Sequence, residues 1–195
     1  MKSRIWMIGL LVIMAIVCSS ALSFVNYKTA PIIQKNREIT QMRRVFEVFG
    51  IPYDSNNSDG IIEQYKQHIE EHEEQELHLF YEKENDVIAV SFSGGGFQGL
   101  ISLIVALDGD TISGFKIVSQ KETPGLGARI TEESFQNSFI GKRVSEGISM
   151  RKLGEAGDEE FNAITGATET SRALERILNR GFKRYFQVVK NKGNK

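Results

Sequence analysis

Apolar and polar positions follow three different rhythms along this chain. Residues 5–25 form 21 consecutive positions without a charge, which as a helix rising about 1.5 Å per residue would cover about 31 Å, the hydrocarbon depth of a bilayer. This predicts a transmembrane helix. Past Pro31, the apolar residues Ile32, Ile39, Met42, Val45, Phe46 and Phe49 recur at helical spacing until Gly50 and Pro52 end the pattern, predicting a juxtamembrane helix. Residues 54–60 have turn composition, and 61–76 read as a polar, acidic helix or loop. Strand signals follow at 77–81, 87–92, 100–107 and 112–118, with Asp108-Gly109-Asp110 as a tight hairpin turn. A last long helix starts near Ala167 and sets Leu174, Ile177, Leu178, Phe182, Tyr185, Phe186 and Val189 on one face, with basic residues opposite. The expected fold is α+β: an antiparallel sheet flanked by helices, preceded by one N-terminal transmembrane helix. Its expected parts are a cytoplasmic stub and span (1–25), the juxtamembrane helix (26–53) and an extracytoplasmic domain (54–195).

The flanks of the apolar run bear on orientation. Lys2 and Arg4 precede it, which favours a cytoplasmic N-terminus and a domain on the far side of the membrane. Lys28, Lys35 and Arg37 weaken that bias without reversing it. Trp6 and Tyr27 stand near the two ends like interfacial anchors. Ser19 and Ala21 could serve a signal-peptide cleavage before Leu22, but the run is longer than a usual signal core, so a retained span is expected.

Charge and cysteine usage narrow the function classes. With 24 Lys plus Arg against 25 Asp plus Glu, nothing in the composition calls for a nucleic-acid partner. The balance is uneven along the chain. Residues 59–86 carry ten acids against two bases, and residues 172–195 carry eight bases against one acid, so two regions of opposite sign are expected. Cys18 is the only cysteine and lies in the apolar run. That excludes an intramolecular disulfide and a cysteine-held metal or iron–sulfur site, and Val17 before it argues against a lipoprotein signal.

Two motif matches carry little. Residues 94–99, Gly94-Gly95-Gly96-Phe97-Gln98-Gly99, fit G-x-G-x-x-G, but the β-branched, apolar residues 100–107 that follow leave no helix N-terminus for a pyrophosphate. A glycine-rich connection between strands, close to a ligand, is the better reading. His68-Ile69-Glu70-Glu71-His72 fits H-x-x-E-H, a spacing that on a helix puts both imidazoles on one face. It sits in a Glu-rich run and lacks a distinct third ligand, so a solvated acidic helix is expected. His78 falls in a predicted strand.

The informative residues are Thr165-Gly166-Ala167-Thr168-Glu169-Thr170-Ser171 at the head of the last helix. Hydroxyl side chains beside a Gly-Ala pair at a helix start suit a phosphate, although ordinary N-capping is the commoner use of such a cluster. The run Asn162-Ala163-Ile164-Thr165-Gly166-Ala167-Thr168, continued by Glu169-Thr170-Ser171, resembles D-x-x-[ST]-G-A-T-x-T-S of the FMN-binding domain shared by the G subunit of Rnf complexes and the C subunit of sodium-pumping Nqr. Glu122-Thr123-Pro124-Gly125-Leu126-Gly127 resembles a second element of the same domain, about forty residues upstream. One departure is Asn162, where the pattern begins with Asp. Asn keeps shape and hydrogen bonding and loses the negative charge.

The resemblance implies FMN joined through its phosphate to Thr168. It places Thr165, Gly166, Ala167, Thr170 and Ser171 at the phosphate, with the loop of Glu122, Thr123, Gly125, Leu126 and Gly127 against the flavin ring. No nearby base is evident to activate the hydroxyl, so the resemblance implies a separate Mg²⁺-dependent flavin transferase using FAD. The implied function is an electron-relay subunit of an Rnf-type ion-translocating ferredoxin:NAD oxidoreductase in the cell (inner) membrane. Its partners would be membrane lipid and other integral membrane and redox subunits, and it would have little catalysis of its own. Rnf is preferred to Nqr because no large insertion separates the span from the sheet. The alternatives are the Nqr-type counterpart, a free-standing extracytoplasmic flavoprotein, and a non-redox surface binding module.

Overall fold

A computed structural model of the chain describes residues 2–75, 77–83 and 87–193. It has two compact units, Met1–Thr40 and Gln41–Lys195.

Helix α1 runs Lys2–Phe49 without a break, with Pro31 inside it. The expected span and the expected juxtamembrane segment are thus parts of one helix. Proline removes one N–H and crowds the preceding turn, but no glycine or turn residue adjoins it, and the Thr29 hydroxyl donates back to the Val25 carbonyl at 2.9 Å. Side chains from residue 4 to 38 are all exposed. Among the described residues α1 alone is long and apolar enough to cross a membrane.

In the second unit, helix α2 (Ser58–His68) starts where the Asn57 side chain accepts from the Gly60 N–H at 2.9 Å, an N-cap. Five antiparallel strands follow in sequence order: β1 (Ile69–Glu74), β2 (Leu77–Glu82), β3 (Ile88–Gly95), β4 (Leu100–Asp108) and β5 (Thr111–Ser119). The acidic segment expected to be helix or loop thus contains a strand. β1 is an edge strand whose side chains are largely exposed, so it carries no apolar alternation to read, and its charges are what an unpaired edge needs. The four predicted strands are present within a few residues of their expected ends.

One face of the sheet carries the main core, in which Leu79, Val90, Phe92, Leu103, Val105 and Phe115 pack with Leu174, Ile177, Leu178 and Phe182. Those last four belong to α4 (Thr168–Gly193), the predicted C-terminal helix. Phe92 and Phe182 meet edge to face at 5.4 Å, a favoured aromatic geometry. The other face carries a row of small residues, because Ala89 pairs with Ala106 and Ala106 with Gly114. A Cβ on Gly114 would lie 2.2 Å from the Val48 carbonyl oxygen, so the end of α1 rests on backbone there. Phe46 meets Tyr65 of α2 at 5.7 Å on this side.

Between β5 and α4 the chain forms a 3-10 turn (Gly127–Thr131), α3 (Glu133–Asn137) and a parallel pair, β6 (Ser149–Arg151) and β7 (Glu160–Asn162). Helix α4 supplies the polar partners of this segment. Asn179 accepts from Ile148 N and donates to its carbonyl, and Glu175 accepts from Met150 N at 2.8 Å. These bonds, with the core contacts, hold the head of α4 in register with the loops around it.

Candidate functional site

The head of α4 is built by a short relay of hydrogen bonds. The Ser171 hydroxyl accepts from Ile164 N at 3.0 Å and donates to the Ala167 carbonyl at 3.1 Å, and Ser171 N donates to the same carbonyl at 3.0 Å. Ser171 is fully buried. Gly166, at φ +81°, takes the left-handed turn that brings Ala167 and Thr168 to the helix start. The first N–H groups of α4 have no partner within the helix, and the axis dipole adds a positive end there.

Glu122 ties this helix head to two other segments. The residue is 5 % exposed. Oε1 accepts from Phe97 N at 2.9 Å and Gln98 N at 3.0 Å, while Oε2 accepts from the Thr170 hydroxyl at 2.7 Å. Two glycines make room for it: a Cβ on Gly96 would sit 2.3 Å from Oε1, and one on Gly127 would sit 2.8 Å from Oε2 and 2.4 Å from the Thr170 hydroxyl. The G-x-G-x-x-G segment is accordingly the β3–β4 connection, closed by Gly96 N donating to the Gly99 carbonyl at 2.7 Å, with its tip pinned by a carboxylate from the 122–127 loop.

These three segments enclose a cleft of about 320 Å³ lined by Phe97, Glu122, Thr123, Leu126, Gly127 and residues 166–170. That volume is at the low end of small-molecule pockets, roughly 300–1,000 Å³. The sequence motifs about forty residues apart therefore meet. Thr168 is half-buried on the cleft wall, and among the described residues its hydroxyl has no hydrogen-bond partner. The neighbouring acid Glu169 is ion-paired with Arg172, and Glu122 is engaged with Thr170, so neither is placed as a base on Thr168. Asn162 is exposed on β7.

Not every expected site residue reaches the cleft. Thr165 is exposed and Ser171 is buried beneath the helix head, and neither lines it. Gly125 does not line it either; its φ of +75° accounts for glycine at a position where a Cβ would meet nothing within 4 Å. Phe97 and Glu169 do line the cleft and were not among the expected residues. The exposed aromatic Phe97 at a glycine-rich turn was the available signal. His68 ends α2 and His72 lies in β1, so the H-x-x-E-H spacing does not put both imidazoles on one helix face. His72 packs edge-on against Tyr81 at 5.1 Å.

Residues 96–183, from the glycine-rich turn into α4, match the family model of the FMN-binding domain. Over this segment the chain is similar to FMN-binding domains. It is 42% identical over 86 residues to the G subunit of an ion-translocating oxidoreductase complex of Methanosarcina acetivorans, a match covering 43% of each chain. It is 39% identical over 97 residues to the G subunit of the proton-translocating ferredoxin:NAD(+) oxidoreductase complex of Clostridium ljungdahlii, covering 48% of this chain and 51% of that one. In these two matches the chain spans about half the length of its relatives. A third match, to the G subunit of the Na(+)-translocating ferredoxin:NAD(+) oxidoreductase complex of Acetobacterium woodii, is 26% identical and covers 93% of this chain and 91% of that one. The fold is that of the solved C subunit of a Na(+)-translocating NADH-quinone reductase from Parabacteroides distasonis, with a TM-score of 0.65 and 21% identity over 79% of this chain and 94% of that one. Among the described residues the cleft is where both sequence motifs and the matched turn come together.

Proposed function

We propose that this chain is a membrane-anchored electron-relay subunit with FMN joined by its phosphate to Thr168, within an Rnf-type ion-translocating ferredoxin:NAD oxidoreductase. The observation that carries the reading is the Thr168 hydroxyl, unpartnered among the described residues, on a cleft wall at the start of a long helix that buries one face in the core. A phosphate there would meet the free N–H groups and positive end of α4. The residues fit the cofactor: apolar Phe97 and Leu126 offer surface to a flat ring, and Gly166, Ala167 and Gly127 let backbone approach it closely. Bound FMN supplies the one- and two-electron chemistry, and the protein supplies position and electrostatics. With no base on Thr168, attachment is the work of a separate flavin transferase.

Helix α1 serves as the membrane anchor, with the N-terminus cytoplasmic and the FMN domain on the extracytoplasmic face of the cell (inner) membrane. The names of the three relatives, each one subunit of a larger complex, support other integral membrane and redox subunits as partners. Residues 26–68 lead from the span to the sheet through the rest of α1 and α2 with no inserted domain, which favours the Rnf-type subunit over the Nqr type.

Co-expression with a flavin transferase tests the linkage. The wild type should gain the mass of one FMN less water and give a fluorescent band on a denaturing gel. Thr168→Val keeps the shape, removes the nucleophile and should give neither. Flavin retained by the Thr168 variant, or mapped to Thr165, Thr170 or Ser171, would show the assignment to be wrong.

A further inference from the structure

Among the described residues outside α1, few large apolar side chains are strongly exposed, and two of these, Phe97 at 61% and Leu126 at 46%, line the same cleft as Thr168. Leaving a phenyl ring in water forgoes apolar burial, and this one is not on a floppy tip. Its own N–H and that of Gln98 are bonded to the buried Glu122 carboxylate, and the turn is closed by the Gly96–Gly99 bond. Glu122 in turn holds Thr170, two residues along the helix from Thr168. One buried carboxylate thus sets the spacing between an exposed aromatic ring and the hydroxyl at the helix start.

We propose that Phe97 is the aromatic wall on which the flavin ring lies, and that Glu122 is a positioning residue that holds this wall at a set distance from Thr168. The inference rests on the FMN reading above and deepens it: the glycine-rich turn, rather than the 122–127 loop alone, confines the ring. Phenylalanine suits the role because it offers a flat, apolar face with no polar group to compete for the edges of the ring.

The test replaces the wall with a ring that reports contact. An indole stacked on an excited isoalloxazine quenches its emission by electron transfer, so Phe97→Trp in the full chain, loaded by co-expressed transferase, should lose most of the native-state flavin fluorescence. Its covalent label, read by mass and on a denaturing gel, should equal that of the wild type. Leu153→Trp, at an 87% exposed position that does not line the cleft, should leave emission unchanged. Phe97→Ser should open the flavin to iodide quenching. Adding Glu122→Ala to Phe97→Trp should restore much of the lost emission, while Glu122→Gln, which can still accept from the two N–H groups, should restore less. A labelled Phe97→Trp protein that emits like the wild type, or a Glu122→Ala addition without effect on a quenched flavin, overturns the inference and leaves the linkage standing. A wild type without flavin overturns the FMN reading itself.

Discussion

The two oxygens of Glu122 accept three hydrogen bonds from groups 24, 25 and 48 residues away in sequence. Removing that acceptor leaves donors behind, and a donor left without a partner in a buried setting costs about 1–3 kcal/mol. Glu122→Ala should therefore lower stability by about that amount or more, and Glu122→Gln by clearly less, in urea denaturation of the solubilised protein. Equal loss in the two variants would argue that charge rather than hydrogen bonding matters there. Asn162, at the position where the resembled pattern has Asp, is exposed on β7 and open to a modifying enzyme. Asn162→Asp should label as well as or faster than the wild type in a timed transferase assay, and slower labelling would count against its part in recognition.

The end of α1 and all of α2 act as a lid on the sheet face opposite α4, and their attachment depends on close packing and one phenol. Gly114→Val would force a side chain into the Val48 backbone; overpacking of this kind costs about 1–3 kcal/mol, occasionally more. Thermal unfolding should register it as a lower midpoint. Tyr65 of α2 donates to Glu71 of β1 at 2.6 Å, and burial, with that bond and the adjacent negative charge, raises the phenol well above its usual value of 10.0. A raised folded-state pKa means the proton is held more tightly in the folded form, so the stability it confers is complete below about pH 10 and is lost as pH rises through the folded value. Tyr65→Phe should flatten part of the alkaline fall in stability measured by urea titration between pH 9 and about 11. An unchanged slope would show that other tyrosines account for the fall.

At the scale of the whole molecule, the proposed arrangement separates a lipid-facing helix from a water-facing redox domain. Protease added to intact spheroplasts should remove the domain and leave the N-terminal fragment in the membrane. Protection until lysis would reverse the proposed orientation. The basic C-terminal segment and the acidic β1 region differ in sign, so binding to other subunits through either should weaken with salt. Co-purification at low and high ionic strength reads this directly.

Elements whose signals are local could be read from the residues alone. The 21-residue uncharged run, the short β-branched and apolar runs of β2 to β5 and the one-sided apolar face of α4 are readable because each depends on neighbours within a turn or two. The Thr168 motif and the 122–127 loop were legible as a resemblance for the same reason. The unbroken passage of α1 through Pro31 was not legible, since a proline looks like a stop until the surrounding helix is seen to persist. Neither was β1, whose exposed acids carry no period and whose strand form comes from pairing with β2. It took the folded chain to make Glu122 an internal anchor, to turn Thr170 and Ser171 inward while Thr168 stays available, and to set Phe97 on the same cleft. Burial of a carboxylate is fixed by which donors arrive from distant segments, and sequence spacing holds no record of that.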